Sequence, residues 1–300
     1  MELRVKTQED LSEALVDFLV SELHRGVIVE EAQDDQGLSG SGDLIIKAYL
    51  NEEDIESGVL KGIETYFYEI LELHSEYPRI SWSTHQIVEE EWANGWKKYF
   101  RPVRVGRRLI IKPSWETWVP GEKDIVIEID PGQAFGVGTH ASTRLMLEAV
   151  EELSDQGFLK GASVLDIGTG TGILAIAAAK LNSSDIMAVD IDQDAVDTAR
   201  KNVHLNNVHH QVSVSNTPIW EVEGPFDLVL ANLDRDTLLF LSREIARLVS
   251  SGGVLLTSGI IEGQEKEIVD SYREKGLTLV SKREDAMEPE WLLLKFSKTG

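Results

Sequence analysis

The sequence predicts an α/β protein, with a mainly parallel sheet covered by helices on both faces and a small ferredoxin-like α+β unit ahead of it. Three observations lead to this prediction. Strand and helix patterns alternate from residue 125 onward, the first 88 residues follow the order strand, helix, strand, strand, helix, strand, and a glycine-rich turn joins one strand to an apolar helix. We therefore expect an N-terminal domain at 1–88, a linker and domain junction at 89–124, and a larger domain at 125–300.

The N-terminal domain is predicted from its apolar periodicity. Apolar residues recur at helical spacing from Glu9 to Leu23 and again from Ile55 to Leu73. Short β-favouring runs flank these helices at 3–5, 26–30, 44–50 and 80–88, and a Gly/Ser/Asp-rich loop lies at 34–43. The order is that of a ferredoxin-like unit, a fold that specifies no function by itself.

The predicted linker differs in composition from both of its neighbours. It begins with an aromatic-rich run at 92–100, and residues 97–112 contain seven bases and no acid. Aromatic and cationic residues together are also used to bind nucleic acid. We favour a linker whose aromatic residues pack between domains and whose bases lie near the acidic N-terminal domain.

The C-terminal domain alternates strand and helix. Strands are predicted at 125–129, 163–167, 185–190, 211–214, 226–231, 253–257, 277–283 and 291–296, and helices at 142–153, 173–181, 193–205, 236–249 and 262–275. Such alternation predicts a mainly parallel sheet with both faces covered. The last two strands have no long crossover between them, so we expect them to pair antiparallel at an edge.

Composition narrows the classes of protein that fit. A 300-residue chain with 42% hydrophobic residues can form substantial cores, and the absence of cysteine excludes disulfides and cysteine-ligated zinc. The seven histidines show no spacing typical of a metal site, so we expect no metal. The chain begins without a signal-peptide pattern and contains no run long enough to cross a membrane. These features predict a soluble cytoplasmic protein.

The net charge of −23 is unevenly distributed, because residues 1–91 hold 22 acids and six bases, a net charge of −16. Such a surface repels nucleic acid and could attract a basic partner. Acidity that serves only solubility would give the same distribution. We expect no nucleic-acid partner.

A glycine-rich turn follows the strand at 163–167 and precedes an apolar helix. Glycines let the backbone approach a ligand closely, and the start of a helix offers free N–H groups. Gly168, Gly170 and Gly172 are spaced G-x-G-x-G, unlike the dinucleotide fingerprint G-x-G-x-x-G, and no Gly-Lys-Ser/Thr follows for a phosphate loop. The next strand ends in Asp190, whose carboxylate can accept hydrogen bonds from ribose hydroxyls. These features predict a nucleoside ligand without a pyrophosphate.

Together with the strand at 226–231 and the Asn232-Leu233 that closes it, this motif resembles the S-adenosylmethionine-dependent methyltransferases of the seven-stranded type. The resemblance implies a seven-stranded Rossmann-like methyltransferase sheet and S-adenosylmethionine as cofactor. It also implies that Asp166, Gly168, Gly170 and Asp190 belong to the cofactor site. The alternative is an ordinary strand, turn and helix without a cofactor.

A second glycine-rich stretch lies at 130–143, just ahead of the predicted sheet. On its chemistry alone it fits two interpretations equally well. It could cover a cofactor, with Phe135 packed on an apolar part and Thr143 bonded to a carboxylate or ribose. It could also be a junction turn in which Ser142 or Thr143 caps a helix.

The wider pattern decides between them. Asp-Pro-Gly-x-Ala-Phe-Gly-x-Gly-Thr-His-x-x-Thr at 130–143, preceded by Trp96-Lys97 and the stretch at 111–116, resembles the bacterial ribosomal protein L11 methyltransferase family. The resemblance runs from about Trp92 to the C-terminus, and the acidic N-terminal domain fits that family's substrate-recognition domain. It implies cofactor contacts at Thr143, Gly168, Asp190 and Asn232, with Phe135 alongside.

The sequence departs from the family pattern in two places. The family usually shows Asn-Ile-Leu after the fourth strand, whereas this chain has Asn232-Leu233-Asp234, and Asp234 adds a carboxylate near the expected entrance for the methyl acceptor. The family's Gly-Thr-Gly-Thr-His-Pro-Thr-Thr is here the stretch 136–143, with Val at the second position and Ala-Ser after the histidine. We interpret Asp234 as a helix cap or a solvated side chain, and His140 as a partner in a loop hydrogen bond.

The resemblance implies an enzyme that methylates lysine side-chain and α-amino nitrogens of a ribosomal large-subunit protein. Asn232 is the predicted catalytic residue, since its carbonyl, or the backbone carbonyl beside it, can accept a hydrogen bond from the amine and orient its lone pair. Two alternatives stay open: the same chemistry on another protein or a small molecule, and a non-catalytic cofactor-binding or ribosome-interaction module. A chain with its own substrate domain needs no partner subunit, so we expect a monomer.

Overall fold

The structure is a computed structural model that describes residues 1–23, 27–33, 39–50, 54–55, 58–73, 80–85, 101–130 and 140–298. The chain divides into two compact units, Met1–Tyr99 and Phe100–Gly300. The described part of each unit has hydrophobic clusters of its own.

The first unit is a four-stranded antiparallel sheet with two helices. Its elements are β1 (Glu2–Gln8), α1 (Glu9–Leu23), β2 (Ile28–Gln33), β3 (Ser39–Tyr49), α2 (Val59–Leu73) and β4 (Ser81–His85). The strand order is β2-β3-β1-β4, and every neighbouring pair is antiparallel. Leu3 and Val5 alternate with exposed residues of β1 and join Leu19 of α1 and Phe67 of α2 in the core. The ferredoxin-like prediction is confirmed.

The second unit opens with a small sheet of its own. Its strands are β5 (Val103–Val105), β6 (Leu109–Lys112) and β7 (Ile125–Glu128), with β5 antiparallel and β7 parallel to β6. The strand predicted at 125–129 is present, and within the alternating pattern of the C-terminal domain it joins this small sheet rather than the large one. One edge of β7 is paired with β6, and two asparagine side chains bind the backbone groups of Glu128 and Asp130 on the other.

The large sheet has seven strands and helices on both faces. Its elements are α3 (Ala141–Asp155), β8 (Ser163–Ile167), α4 (Ile173–Lys180), β9 (Asp185–Val189), α5 (Gln193–Leu205), β10 (Val212–Ser215), β11 (Phe226–Asn232), α6 (Arg235–Phe240), α7 (Ser242–Leu248), β12 (Val249–Ile261), α8 (Glu265–Arg273), β13 (Leu277–Glu284) and β14 (Trp291–Lys298). The strand order is β10-β9-β8-β11-β12-β14-β13. Only β14 runs antiparallel to its neighbours, so the predicted antiparallel edge is confirmed.

Alternating strand residues supply two cores, one on each face of this sheet. Leu228 and Leu230 of β11 pack with α3 and α4, whereas Val229 and Ala231 pack with α6, α7 and α8. This period of two, with both faces apolar, is why the central strands read as nearly continuous hydrophobic runs.

The helix predicted at 236–249 is two helices in the structure, α6 and α7. The Ser242 hydroxyl donates to the carbonyl of Leu239 at 2.7 Å, and Leu241 between the helices has non-helical backbone angles. A serine that bonds back to the preceding turn bends a helix, which explains the interruption.

Candidate active site

The candidate site is a pocket of about 900 Å³ at the carboxyl ends of the central strands. Strand β8 lies between β9 and β11, although β9 and β10 follow it in the chain before β11 returns to its other side. This reversal of strand order creates the crevice where open α/β sheets bind ligands. Gly168, Asp190 and Asn232, which follow or end these three strands, all line the pocket.

The glycine turn forms the floor of the pocket. Gly168 has a φ of +67°, and a Cβ there would lie 2.5 Å from Cδ2 of Leu233. Gly170 donates its N–H to Oδ2 of Asp190 at 2.9 Å. The turn is therefore packed against the end of β11 on one side and bonded to the acid of β9 on the other.

Asp166 lies beneath the turn and is not among the residues that line the pocket. Its Oδ2 accepts from the Thr169 hydroxyl at 2.7 Å, and its buried Oδ1 has no hydrogen-bond partner among the described residues. Burial raises the pKa of this carboxyl to about 6, although the Thr169 hydroxyl and the Ala175 N–H oppose the shift. Asp166 thus contacts the glycine turn through Thr169 without lining the pocket itself.

Asn232 and Thr143 meet at one wall of the pocket. The Nδ2 of Asn232 lies 3.4 Å from the Thr143 hydroxyl, across 89 residues of sequence. The Oδ1 of Asn232 is buried and has no hydrogen-bond partner among the described residues. A buried acceptor at a pocket wall is a place where a ligand donor can bind, because an unpaired buried polar atom is costly.

His140 begins helix α3 and contacts the same wall. Its side chain accepts from the Ser142 N–H at 3.3 Å, which bears out the predicted loop hydrogen bond. The cap is therefore His140, and the alternative of a Ser142 or Thr143 cap is wrong. The His140 ring stands edge-on to the Trp291 ring, with 4.4 Å between the ring centroids. The pKa of the imidazole is lowered, mainly by burial.

Asp234 caps helix α6. Its Oδ1 accepts from the N–H groups of Asp236 and Thr237, and its Oδ2 accepts from the Thr237 hydroxyl at 2.6 Å. These bonds from Thr237 lower the pKa of the carboxyl. The helix-cap interpretation is confirmed, and the same residue lines the pocket.

Several pocket residues carry no sequence signal that we recognised. Trp291 arrives from the antiparallel strand β14, and Gly259 lies in β12, far along the chain from the glycine turn. Ile191, Trp220 and Phe240 line the pocket although each of them is more than half exposed. Isolated exposed apolar residues give no periodic signal, so only the fold brings these three together. Phe135, the remaining predicted contact, lies outside the described residues.

The residues present fit an adenosyl ligand better than a phosphate-rich one. A carboxylate at the end of β9, a close glycine turn, a buried amide oxygen and apolar rim residues surround one cavity. In the described ranges no group of three or more His, Cys, Asp or Glu could hold a metal ion. Nor is any helix in the described part of the chain long and apolar enough to cross a membrane.

A seven-stranded sheet with one antiparallel strand near its edge, and a glycine-floored pocket at its switch point, defines the class of Rossmann-like methyltransferases. Comparison with known proteins identifies the family within that class. The chain belongs to the ribosomal protein L11 methyltransferase family, whose model matches residues 1–299. The chain is therefore an enzyme of the methyltransferase class.

Relatives of this family resemble the chain over most of its length. A ribosomal protein L11 methyltransferase of Geotalea uraniireducens is 39% identical, with 94% of this chain and 92% of the relative covered. One of Desulfitobacterium hafniense is 40% identical over 85% of this chain and 79% of the relative. The solved ribosomal protein L11 methylase of Lactobacillus delbrueckii subsp. bulgaricus is 30% identical with a TM-score of 0.60, covering 67% of this chain and all of that one.

Proposed function

We propose that this chain binds S-adenosylmethionine in the pocket and methylates lysine side-chain and α-amino nitrogens of ribosomal protein L11, in the cytoplasm and as a monomer. The observation that carries the proposal is the Asn232 amide, whose buried Oδ1 has no partner among the described residues, in one pocket with Asp190 and the glycine turn. The names of the relatives support the choice of substrate.

The glycine turn and the side chains around it would hold the cofactor. Asp190 would accept hydrogen bonds from the ribose hydroxyls, while Gly168 and Gly170 allow the ligand close to the backbone. Thr143 offers a hydroxyl beside Asn232. Phe135 stays a predicted contact. Asp166 would act indirectly by holding Thr169 and the turn above it.

The residues of the site have to orient a neutral amine. When bound, S-adenosylmethionine would supply an electrophilic methyl group on a positively charged sulfur. The Asn232 carbonyl can accept a hydrogen bond from the acceptor amine and direct its lone pair, a contribution of orientation rather than of base strength. A lysine amine has an unperturbed pKa of about 10.4, and desolvation between apolar rim residues lowers it. The displaced proton leaves to water.

The N-terminal domain, residues 1–88, would hold the protein substrate. Residues 1–91 carry a net charge of −16, which favours a basic partner over nucleic acid. The stretch predicted as an aromatic and basic linker at 89–124 would join this domain to the catalytic one at 125–300, and its part from Phe100 onward belongs to the second compact unit.

The proposal is tested by transfer of a radiolabelled methyl group from S-adenosylmethionine to purified L11. Asn232→Ala should lower kcat at least a hundredfold, since loss of an orienting contact reduces the fraction of productive encounters. Asn216→Ala is the matched control, because Asn216 is an exposed amide that does not line the pocket.

A mixture of other ribosomal proteins and small amines should stay unlabelled in the same assay. Label on one of those and none on L11 would move the reaction to another acceptor. Cofactor binding with no transfer to any acceptor would leave a non-catalytic module and refute the proposed reaction.

A further inference from the structure

Asn202 of helix α5 and Asn206, the residue that caps the C-terminus of this helix, are buried one turn apart, and both bind the backbone of the segment that contains β7. The Oδ1 of Asn206 accepts from the Glu128 N–H at 2.9 Å, and its Nδ2 donates to the Glu128 carbonyl at 2.6 Å. Asn202 makes the same pair of bonds to Asp130, two residues further along the segment. Its Oδ1 accepts from the Asp130 N–H at 2.9 Å, and its Nδ2 donates to the Asp130 carbonyl at 3.0 Å. Residues four apart on a helix share a face, so the two amides saturate alternate residues along one edge.

The two amides differ in the use of their remaining N–H. Asn206 donates it within its own helix, to the carbonyl of Asn202 at 2.9 Å. Asn202 donates it to the carbonyl of Thr171 at 2.9 Å, which belongs to the glycine turn of the pocket. Asn202 and Thr171 are both fully buried, and neither lines the pocket.

The part of helix α5 around Asn202 contacts the glycine turn at residues that do not line the pocket. Ala199, one turn before Asn202, packs closely on Gly172, where an added Cβ would lie 3.2 Å from the Ala199 Cβ. On the ligand side, the turn is bonded to Asp190 through the Gly170 N–H. Two hydrogen bonds thus hold the glycine turn. The Gly170 N–H donates to Asp190, and the Thr171 carbonyl accepts from the amide of Asn202.

We propose that Asn202 is a positioning residue for the cofactor site: its amide bonds the glycine turn to helix α5 and to Asp130, and so holds Gly168 and Gly170 at the distance that the adenosyl ligand needs. Asn206 makes the same bonds to the strand but none to the turn. The inference rests on the proposed use of S-adenosylmethionine.

The test is calorimetric titration of the full chain with S-adenosylhomocysteine, the non-reactive product, for the wild-type protein, Asn202→Ala and Asn206→Ala. We expect Asn202→Ala to raise the Kd about tenfold, which corresponds to about 1.4 kcal/mol. Asn206→Ala should change the Kd less than twofold, and both variants should lower Tm because each leaves backbone groups of the segment unpaired. Equal changes in Kd for the two variants would reduce Asn202 to a structural role.

A second readout separates positioning from a folding defect. A partly folded variant lowers the apparent kcat without altering the cofactor KM, whereas a displaced turn raises the KM. We expect Asn202→Ala to raise the cofactor KM about tenfold, with kcat within threefold of wild type. Should that variant not fold, Asn202→Asp keeps the shape and the acceptor for the Asp130 N–H but lacks the donors to the carbonyls of Asp130 and Thr171. The same increases in Kd and KM are expected for it.

Binding of S-adenosylhomocysteine by the wild-type protein separates failure of the proposed cofactor from failure of the proposed role of Asn202. A wild-type chain that does not bind S-adenosylhomocysteine would overturn the proposed cofactor and this inference with it. A wild-type chain that binds it, beside an Asn202→Ala or Asn202→Asp variant that binds equally well, would overturn the inference alone.

Discussion

At the scale of single residues, Asp166 lies beneath the glycine turn in an environment that is unfavourable for its charge. Burial raises the pKa of its carboxyl to about 6, whereas an unfolded aspartate has a pKa of about 3.9. Between these two values the folded protein binds the proton and the unfolded chain does not. Stability therefore falls as the pH rises through this window and levels off above the folded pKa.

The change Asp166→Asn removes this dependence. Relative to the variant, we expect the wild-type protein to lose up to about 3 kcal/mol of unfolding free energy between pH 4 and pH 7, from a pKa difference of about two units. Urea unfolding of both proteins across this range measures the difference, in which the titration of all other groups cancels. A difference that stays constant with pH would show that Asp166 is not protonated in this window.

Single residues also show what sequence can and cannot reveal about a site. Thr143, Gly168, Gly170, Asp190 and Asn232 were predicted from motifs, and the structure brings them to one pocket. Motifs succeed for the other four because these residues lie at or just after strand ends, where short polar and glycine residues stand out against apolar runs. Thr143 lies in helix α3, and only the resemblance to the family indicated it. Trp291 and Gly259 lie in strands whose own pattern gives no hint of a ligand, so only the folded topology identifies them.

At the scale of elements, helix α6 depends on the Asp234 cap. Replacing an aspartate N-cap by alanine costs about 1 kcal/mol, whereas asparagine caps almost as well. We expect Asp234→Ala to lower the unfolding free energy by about 1 kcal/mol and Asp234→Asn by a few tenths, measured by denaturant unfolding at pH 7. Because capping lowers the pKa of this carboxyl, its contribution is present above pH 4 and is lost in more acid solution.

The same pair of variants tests whether Asp234 also attracts the substrate ammonium. A residue that only caps the helix leaves the KM for the acceptor protein unchanged in Asp234→Asn, which is the result we expect. A severalfold increase in that KM with unchanged stability would show a direct electrostatic contact with the acceptor.

Strand β12 approaches the end of β11 so closely that only glycine fits between them. Gly259 has a φ of +87°, and a Cβ there would lie 2.5 Å from the carbonyl oxygen of Leu233. Gly263 has a φ of +90° and no atom within 4 Å of such a Cβ. Both alanine variants therefore carry the cost of a left-handed backbone, about 1 kcal/mol.

Only Gly259→Ala adds a clash with backbone, typically another 1–3 kcal/mol. Thermal or denaturant unfolding of the two variants should show this difference, and Gly259→Ala alone should also weaken cofactor binding, because Gly259 and Leu233 both line the pocket. Equal losses of stability would mean that the strand ends move apart at little cost.

Elements also explain where the sequence-based fold prediction failed. The apolar run at 125–129 has the pattern of a buried strand, and nothing in that pattern says which sheet it joins. Its partner was decided by β6, a four-residue strand within the expected linker, and by Asn202 and Asn206, which lie about 75 residues further along. Side-chain amides that bind a strand edge leave no periodic signal.

At the scale of the whole molecule, the chain is two units that differ in charge and in the cores they contain. The described part of Phe100–Gly300 includes both cores of the large sheet and every residue that lines the pocket, whereas Met1–Tyr99 has a separate core around β1. A unit with its own hydrophobic core can fold alone. Residues 1–91 supply −16 of the net charge of −23.

A chain that starts at Phe100 is therefore expected to bind S-adenosylhomocysteine with a Kd within threefold of the full-length value. Its kcat/KM for L11 should fall at least a hundredfold, because the acidic unit that we assign to substrate binding is gone.

For the full chain the same assignment predicts that the KM for L11 rises with salt between 50 and 500 mM, since screening weakens attraction between opposite charges. Undiminished methylation by the shorter chain would place substrate recognition in the catalytic unit, and a salt-independent KM would show that the acidity serves solubility.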